Sequence, residues 1–275
     1  MHRHVASMKT LVVASQKGGV GKTTLSLNLG LAFSEAGYRT LLVDTDPQGA
    51  IGLSLSRALT VRPGVADVVA GEVLLTEAIV RTKVDGFALL PVGRIAPNEV
   101  HGFSTALSDG RRLHAMLREV EHDYDLALID TPCGFGGITV GCLRACTHVI
   151  SPIQAEPIAL RSITQLLEMI KSLADEGVVA RVVGFVITML QNRDERSLAV
   201  AKDVWEMFPR DLLFDASVPR DPVFLEATSA GVPVGLLRRP APPVTHVFEL
   251  IAADVAQRME LAPTRMSDGP LSLVD

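Results

Sequence analysis

The octet Lys-Gly-Gly-Val-Gly-Lys-Thr-Thr at residues 17–24 constrains the fold of this chain more than any other feature of its sequence. It lies between a short apolar run at residues 10–14 and a stretch with helical character that begins near Thr24. A glycine-rich turn between a strand and a helix gathers backbone N–H groups around an anion, and the helix dipole adds partial positive charge. The octet therefore predicts a phosphate-binding loop within an α/β fold.

The side chains of the octet predict how a nucleoside triphosphate and Mg²⁺ are bound. Lys22 is expected to reach the β- and γ-phosphates, and the Thr23 hydroxyl is expected to ligate Mg²⁺. The other nucleotide contacts predicted within the loop come from Gly18, Gly19, Val20, Gly21 and Thr24.

The composition favours one large cytoplasmic domain. The chain has 275 residues, of which 48% are hydrophobic and 21% charged, and this is enough apolar material for a sizeable core. We expect an ATPase domain at residues 9–260, a disordered extension at 1–8 and a flexible tail at 261–275. No apolar run is long enough to span a membrane, and the first residues lack the apolar region of a secretion signal. The net charge of −5 limits any nucleic-acid contact to a local basic face.

Short β-branched runs alternate with helical patterns along most of the chain, which is typical of a parallel sheet covered by helices. The predicted strands are residues 10–14, 40–44, 87–91, 126–130, 148–153, 181–189 and 212–218. The predicted helices lie near residues 22–36, 108–121, 157–175, 195–208 and 244–259. This order predicts an α/β fold with a doubly wound, mostly parallel sheet and helices on both faces.

Carboxylates stand at the ends of two predicted strands. Asp44 and Asp46 follow the second strand, and Asp130 ends the apolar run at residues 126–129. Open α/β sheets bind ligands at the carboxyl ends of their strands. Phosphoryl transfer to water needs a group that orients the water and oxygen ligands that support the metal. We therefore expect Asp130 to meet Mg²⁺ and the Asp44–Asp46 pair to serve the reaction.

The ordered motifs resemble those of the ParA/MinD family of deviant Walker ATPases. Gln16 replaces the first glycine of the usual phosphate-loop pattern, and the extra lysine of the family stands at Lys17. The other matching segments are Asp-Thr-Asp-Pro-Gln at 44–48, Asp-Thr-Pro at 130–132, Ser-Pro-Ile-Gln-Ala-Glu at 151–156 and Val-Pro-Arg-Asp at 218–221. The resemblance covers roughly residues 9–258 and implies a P-loop fold of the deviant Walker type.

The resemblance also implies roles for particular residues. ATP and Mg²⁺ are the implied cofactors, and two subunits enclose two ATP molecules in a homodimer. Lys17 would then cross to the phosphates of the other subunit and assist hydrolysis. Asp46 would orient the attacking water close to the metal, with Asp44 in support. Pro219 and Asp221 would contact the adenine.

Partners follow from the same resemblance. Relatives bind DNA non-specifically as ATP dimers, and the corresponding segments here contain Arg193, Arg196 and Arg220. A ParB-like or cargo-adaptor protein is expected to stimulate slow hydrolysis, and the ATP-bound protein is expected on the nucleoid. The cargo, whether chromosome, plasmid or cytoplasmic body, stays open. Because little sequence precedes Lys9, a helix-turn-helix domain for operator binding is not expected.

Two other classes of protein remain as alternatives. A MinD-like membrane-cycling ATPase would need a basic amphipathic helix after the core, but residues 261–275 contain Arg265 as their one basic residue, so no stable membrane anchor is expected. A metal-cluster carrier or metabolic P-loop enzyme is the third class. Cys133 has the spacing of a cluster ligand in the nitrogenase iron protein, yet residues 84–104 contain no second cysteine. Cys133, Cys142 and Cys146 are therefore expected to be small core residues.

Overall fold

The computed structural model describes residues 7–262. Its strands are β1 (Lys9–Val13), β2 (Thr40–Asp44), β3 (Val80–Arg81), β4 (Phe87–Leu90), β5 (Leu126–Asp130), β6 (His148–Gln154) and β7 (Arg181–Thr188). They form one sheet of seven strands in the order β3-β4-β2-β5-β1-β6-β7, and every pairing is parallel except that of β3 with β4. The predicted doubly wound, mostly parallel sheet is confirmed.

Eleven helices are found among the described residues. They are α1 (Lys22–Glu35), α2 (Ala50–Leu55), α3 (Val65–Ala70), α4 (Leu75–Ala78), α5 (Val100–Leu107), α6 (Arg111–Glu119), α7 (Gly137–Ala145), α8 (Ala159–Asp175), α9 (Glu195–Met207), α10 (Val223–Ala230) and α11 (Thr245–Arg258). The five helices predicted from the sequence correspond to α1, α6, α8, α9 and α11. The others are short or lack a clear apolar stripe, so periodicity did not reveal them.

Each face of the sheet has its own apolar core, because successive strand residues point to opposite faces. In β1, Val12 belongs to the core that also contains Leu107 and Ile163, whereas Leu11 and Val13 belong to the core beneath α1 and α11. Burial on both faces explains why the central strands are continuous apolar runs. Because β1 lies between β5 and β6, the loop after β1 emerges at the centre of the carboxyl edge of the sheet.

The strand predicted at residues 212–218 is wrong. The chain instead makes a 3₁₀ turn at Arg210–Leu212 and continues irregularly, with single bridges from Leu213 to Phe185 and from Pro219 to Leu190. The Leu213 N–H bonds the Arg210 carbonyl in this turn at 3.1 Å, and the guanidinium of Arg258 in α11 donates to the carbonyl oxygens of Asp211 and Leu213 at 2.8 Å each. It also lies 4.3 Å from the centre of the Phe214 ring. The segment thus bonds β7 at two points, through the Phe214 and Val218 N–H groups, and does not form a continuous strand.

The ends of the chain lie largely outside the described residues. Residues 1–6 and 263–275 are not described, so the predicted disordered extension and flexible tail stay predictions. Met8 is buried and packs in the core that contains Val12. Across residues 7–262, none of the helices combines the length and the apolar character needed to cross a bilayer.

Candidate active site

Residues 17–21 of the octet form a tight loop between β1 and α1, and the last three residues of the octet begin α1. Gly19 and Gly21 have φ angles of 74° and 90°, a left-handed conformation that side chains with a Cβ rarely adopt. Helix α1 begins directly after the loop, and the Leu25 N–H bonds the Gly21 carbonyl at 2.8 Å. The glycines thus bring the loop to the positive end of α1, where backbone N–H groups favour an anion.

Two hydroxyl groups of α1 hold the Asp130 carboxylate at the end of β5. The Thr23 Oγ1 donates to Oδ2 at 2.7 Å, and the Ser26 Oγ donates to Oδ1 at 2.8 Å. The side chain of Lys22, in the same turn, is buried nearby. Hydroxyl and carboxylate oxygens are the ligands that Mg²⁺ prefers, so Thr23 and Asp130 fit a magnesium ion that also binds phosphate oxygens. Ser26 was not predicted, although its position one turn after Thr23 was the available signal.

The surroundings of Asp130 raise its pKa. Burial raises the pKa of this carboxyl to about 6, although the hydrogen bonds from Thr23 and Ser26 and the charge of Lys22 act in the opposite direction. A divalent cation at this position would favour the charged form of the carboxyl and so lower its pKa.

Asp44 and Asp46 have different surroundings. The fully buried Asp44 carboxylate accepts the Asp46 N–H at 3.0 Å and the Ile51 N–H at 3.2 Å. Burial, followed by the charge of Asp130, raises its pKa well above the usual value. Asp46 is only half-buried, and its Oδ1 accepts the Gln48 N–H at 2.9 Å. Asp44 therefore shapes the loop, and Asp46 presents a carboxylate beside Asp130.

A cavity of about 350 Å³ adjoins the phosphate loop. Gly21 and Thr24 line one side of it, and Pro219 and Asp221 line the other. The structure therefore brings the predicted base contacts next to the predicted phosphate loop. Largely apolar walls of this kind suit the flat face of a nucleobase.

Several other lining residues of this cavity were not predicted, among them Thr188 and Met189 at the end of β7 and Phe224 in α10. Met189 has a φ of 54°, which is unusual for a residue with a long side chain. The Thr188 hydroxyl donates to the Val20 carbonyl at 2.8 Å and so joins β7 to the phosphate loop. The only sequence signal for Thr188 and Met189 was their place at the end of an apolar strand, and Phe224 had no such signal.

Lys17 turns away from the loop toward the end of β6. Its Nζ lies 2.5 Å from Oε2 of Glu156 and donates to Oε1 of Gln154 at 3.0 Å. Cys133 lies close to the same turn, since a Cβ added to Gly18 would be 3.6 Å from the Cβ of Cys133. Residues of three different segments therefore meet around the start of the octet.

The three cysteines differ in burial. Cys142 and Cys146 are buried as predicted, and burial raises the pKa of Cys142 to about 12. Cys133 is exposed, so its prediction as a core residue is wrong; it sits in the open turn after β5 rather than on the inner face of α7. No cluster of three or more His, Cys, Asp or Glu side chains suited to a metal ion was found in the part of the chain that the structure describes.

The three arginines predicted to bind DNA are all exposed. Arg193 precedes α9, Arg196 lies in its first turn, and the Arg220 N–H bonds the Leu190 carbonyl at 3.0 Å, which places its segment beside the turn that leads to Arg193. Within residues 7–262, their guanidinium groups have no hydrogen-bonding or ion-pair partner. Arg220 also borders the cavity next to the phosphate loop, which the sequence did not indicate.

Comparisons with known proteins agree with this geometry. A family model described as AAA domain matches residues 8–180. The chain is 36% identical over 236 residues to the chromosome partitioning protein ParA of Caulobacter vibrioides, covering 82% of this chain and 86% of that protein. The chain belongs to the ParA/Soj family of ATPases. The sporulation initiation inhibitor protein Soj of Bacillus subtilis is 33% identical over 252 residues, covering 90% of this chain and 98% of Soj.

Solved structures resemble this ParA/Soj family member over nearly its whole length. The cobyrinic acid a,c-diamide synthase of Mycobacterium smegmatis, with an ATP analog and magnesium, has a TM-score of 0.76 at 28% identity and covers 96% of this chain and 100% of its own. MinD of Pyrococcus horikoshii, with Mg-ADP, has a TM-score of 0.70 at 26% identity, covering 90% and 96%. McdA of Cyanothece in complex with ATP has a TM-score of 0.76 at 21% identity, covering 94% and 99%, and shows the shared fold.

Proposed function

We propose that the chain binds Mg-ATP, dimerises around two nucleotides and uses hydrolysis to position a cargo on DNA. One observation carries the proposal: Gly21 and Thr24 line the cavity beside the phosphate loop, and the next residues of the loop bring the Thr23 hydroxyl to the buried Asp130 carboxylate. This arrangement offers one continuous site for base, phosphates and metal. The partitioning role is taken from the Caulobacter relative, which is a chromosome partitioning protein.

The side chains of the site would divide the work of phosphoryl transfer. Lys22 binds the β- and γ-phosphates, and Thr23 and Asp130 hold Mg²⁺, with Asp46 close enough to support it. When bound, Mg²⁺ neutralises charge on the phosphate oxygens. Asp46 orients the attacking water with its half-buried carboxylate, and Asp44 keeps the Asp46 loop in place through the Asp46 N–H. Pro219 and Asp221 contact the adenine.

The second lysine and the exposed arginines would connect this chemistry to partners. Lys17 reaches the phosphates of the other subunit in the homodimer. Arg193, Arg196 and Arg220 contact DNA phosphates without reading sequence, so the ATP-bound protein resides on the nucleoid. A ParB-like or cargo-adaptor protein stimulates hydrolysis and releases the dimer.

The test measures mass and DNA binding together. Light scattering with Mg-ATP should show a dimer, Mg-ADP should leave a monomer, and the dimer alone should bind a random DNA duplex in fluorescence anisotropy at low salt. The Lys22→Ala variant is the matched control and should remain a monomer that does not bind DNA. Dimers that ignore DNA and sediment with liposomes would overturn the proposal in favour of the membrane-cycling alternative.

A further inference from the structure

The hydroxyl of Thr188 connects the end of β7 to the phosphate loop. Its Oγ1 donates to the carbonyl oxygen of Val20 at 2.8 Å. The same Oγ1 lies 3.2 Å from the carbonyl oxygen of Ile153 in β6. Because a hydroxyl has a single hydrogen to donate, the shorter contact with Val20 is the main one. Thr188 and Val20 are both buried, so water competes little for this hydrogen bond.

The sheet holds Thr188 in a fixed position. Thr188 is the last residue of β7 and pairs with Gln154 of β6, and its own carbonyl accepts the Ala155 N–H at 3.2 Å. The next residue, Met189, also lies close to the loop, since a Cβ added to Gly21 would be 4.0 Å from its Cε. A rigid strand therefore presents the hydroxyl to the phosphate loop.

The bond to Thr188 also determines the direction of the following N–H group. The peptide between Val20 and Gly21 is trans, and the C=O and N–H of a planar trans peptide point in opposite directions. Because the Val20 carbonyl is bound to Thr188, the Gly21 N–H is directed away from β7. One side-chain hydrogen bond thus orients both polar groups of this peptide.

The neighbouring groups of the loop show why this orientation matters. The Gly21 carbonyl bonds the Leu25 N–H at 2.8 Å, so it too is occupied. Helix α1 begins at Lys22, and the first N–H groups of a helix have no partner within the helix. Such N–H groups bind phosphate oxygens, whereas a carbonyl turned toward the same oxygens would repel them. Thr188 keeps the Val20 carbonyl from doing so.

We propose that Thr188 is a positioning residue that prepares the phosphate loop before the nucleotide binds. The inference rests on the proposed function, in which this loop binds the phosphates of Mg-ATP. Without the hydroxyl, the buried Val20 carbonyl would lack its donor, and the Val20–Gly21 peptide could turn its carbonyl toward the anion. Binding would then have to reverse that turn, which lowers affinity. Although Thr188 also lines the base cavity, its hydroxyl acts on the phosphates and not on the base.

The Thr188→Val variant tests this, because valine keeps the shape of threonine and removes the hydroxyl. Calorimetry with Mg²⁺ and inorganic triphosphate, which has no base, should show binding about three- to tenfold weaker than in the wild type, the range expected for one hydrogen bond. The affinity for ATP should fall by the same factor, since both ligands use the same loop. A residue that only contacted the base would change the affinity for ATP alone.

Further variants separate the hydroxyl from side-chain packing. Thr188→Ser keeps the donor and should bind triphosphate nearly as the wild type does. Thr188→Ala differs from Thr188→Ser only by the hydroxyl, so this pair repeats the comparison if Thr188→Val does not fold.

Thr40→Val is the matched control. Thr40 is also a fully buried strand residue, and its hydroxyl donates to the Tyr38 carbonyl at 3.3 Å. It begins β2, at the edge of the sheet opposite the phosphate loop. Thr40→Val should bind triphosphate and ATP as the wild type does, and urea unfolding of the same samples shows whether each variant is folded.

The outcomes separate the inference from the function on which it rests. An unchanged affinity for triphosphate in the variants without the hydroxyl, or a loss confined to ATP, would overturn the inference and leave the proposed function intact. An equal loss in Thr188→Ser would also overturn it, because the methyl group would then be responsible. A wild type that binds ATP but not triphosphate would show that the loop is not prepared in advance. A wild type that binds neither ligand would overturn the proposed function as well.

Discussion

The Ser26 hydroxyl lies 2.8 Å from Oδ1 of Asp130 and donates a hydrogen bond to it. Thr23 binds the other oxygen of the same carboxylate, so one helical turn of α1 satisfies both. Asp130 is fully buried, and a buried carboxylate depends on such donors more than an exposed one. Asp130 is the predicted magnesium ligand. Its side chain is therefore oriented by hydrogen bonds from α1 as well as by its position at the end of β5.

Replacing Ser26 with alanine should destabilise the protein. The change removes a donor from a buried carboxylate, and we expect the free energy of unfolding to fall by about 1–3 kcal/mol. Urea unfolding at neutral pH measures this. Ser54→Ala is the control, because that hydroxyl donates only to the Ala50 carbonyl at 2.7 Å in α2. If the free energy of unfolding falls equally in Ser26→Ala and Ser54→Ala, the hydrogen bond to Asp130 does not contribute to stability.

Lys22→Ala should abolish tight ATP binding. The variant loses the cation that meets the β- and γ-phosphates, and charge-assisted contacts of this kind contribute about 3 kcal/mol, a loss of about a hundredfold in affinity. Isothermal titration calorimetry gives the comparison. Lys202→Ala changes an exposed lysine paired with Glu206 on α9 and should bind ATP as the wild type does. Retained affinity in Lys22→Ala would contradict the assignment of the phosphate site.

Asp46 variants should separate ATP binding from turnover. Asp46→Ala should bind ATP normally but hydrolyse it on the order of a hundredfold more slowly, because the water loses its orienting carboxylate. Phosphate release assays and calorimetry on the same samples measure both properties. Asp46→Asn keeps an acceptor for the Gln48 N–H and therefore preserves the loop. If Asp46→Asn hydrolyses at the wild-type rate, the charge of Asp46 is not required.

The arginines beside α9 should give DNA binding a steep salt dependence. With two or three phosphate contacts per subunit, doubled in the dimer, the slope of log affinity against log salt should be on the order of −4 to −5. Arg193→Glu and Arg196→Glu should each weaken binding to every sequence and leave ATP affinity unchanged. Arg118→Glu, on α6 and paired with Glu121, should bind DNA normally. A slope near zero in the wild type would exclude phosphate contacts as the basis of binding.

His148 should make stability depend on acidity. Burial, followed by the charges of Lys9 and Arg181, lowers the pKa of this histidine to about 4, whereas its ordinary value is 6.5. Between pH 4 and 6.5 the unfolded chain binds a proton at His148 that the folded chain does not. The free energy of unfolding is therefore highest above pH 6.5 and decreases as the pH falls toward 4. Between pH 4 and 6.5, the melting temperature of His148→Asn should change less with pH than that of the wild type. If the melting temperatures of the two proteins change equally with pH, His148 has its ordinary pKa in the folded protein.

The sequence best predicted the structural features that are determined by residues close together in the chain. The central strands β1, β2 and β5 and the long helices have clear periodicity, and the glycine-rich octet indicated the phosphate loop. The sequence could not show that Arg258, on the last helix, binds the carbonyls of Asp211 and Leu213, where a strand was predicted to begin. Ser26 and Met189 were missed for the same reason, since their importance comes from residues far away in the chain. The contact of Lys17 with Glu156 likewise joins segments separated by 139 residues.

Arg220 sits between Pro219 and Asp221, and all three border the base cavity. The same residue has an exposed guanidinium and a backbone bond to the segment that leads to Arg193. A ligand in that cavity would touch the very stretch of backbone that presents a cation to the outside. If Arg220 contacts DNA as proposed, bound nucleotide would influence that contact directly and without a change in the sheet, because the residues proposed to meet the base and the DNA are neighbours in one short peptide.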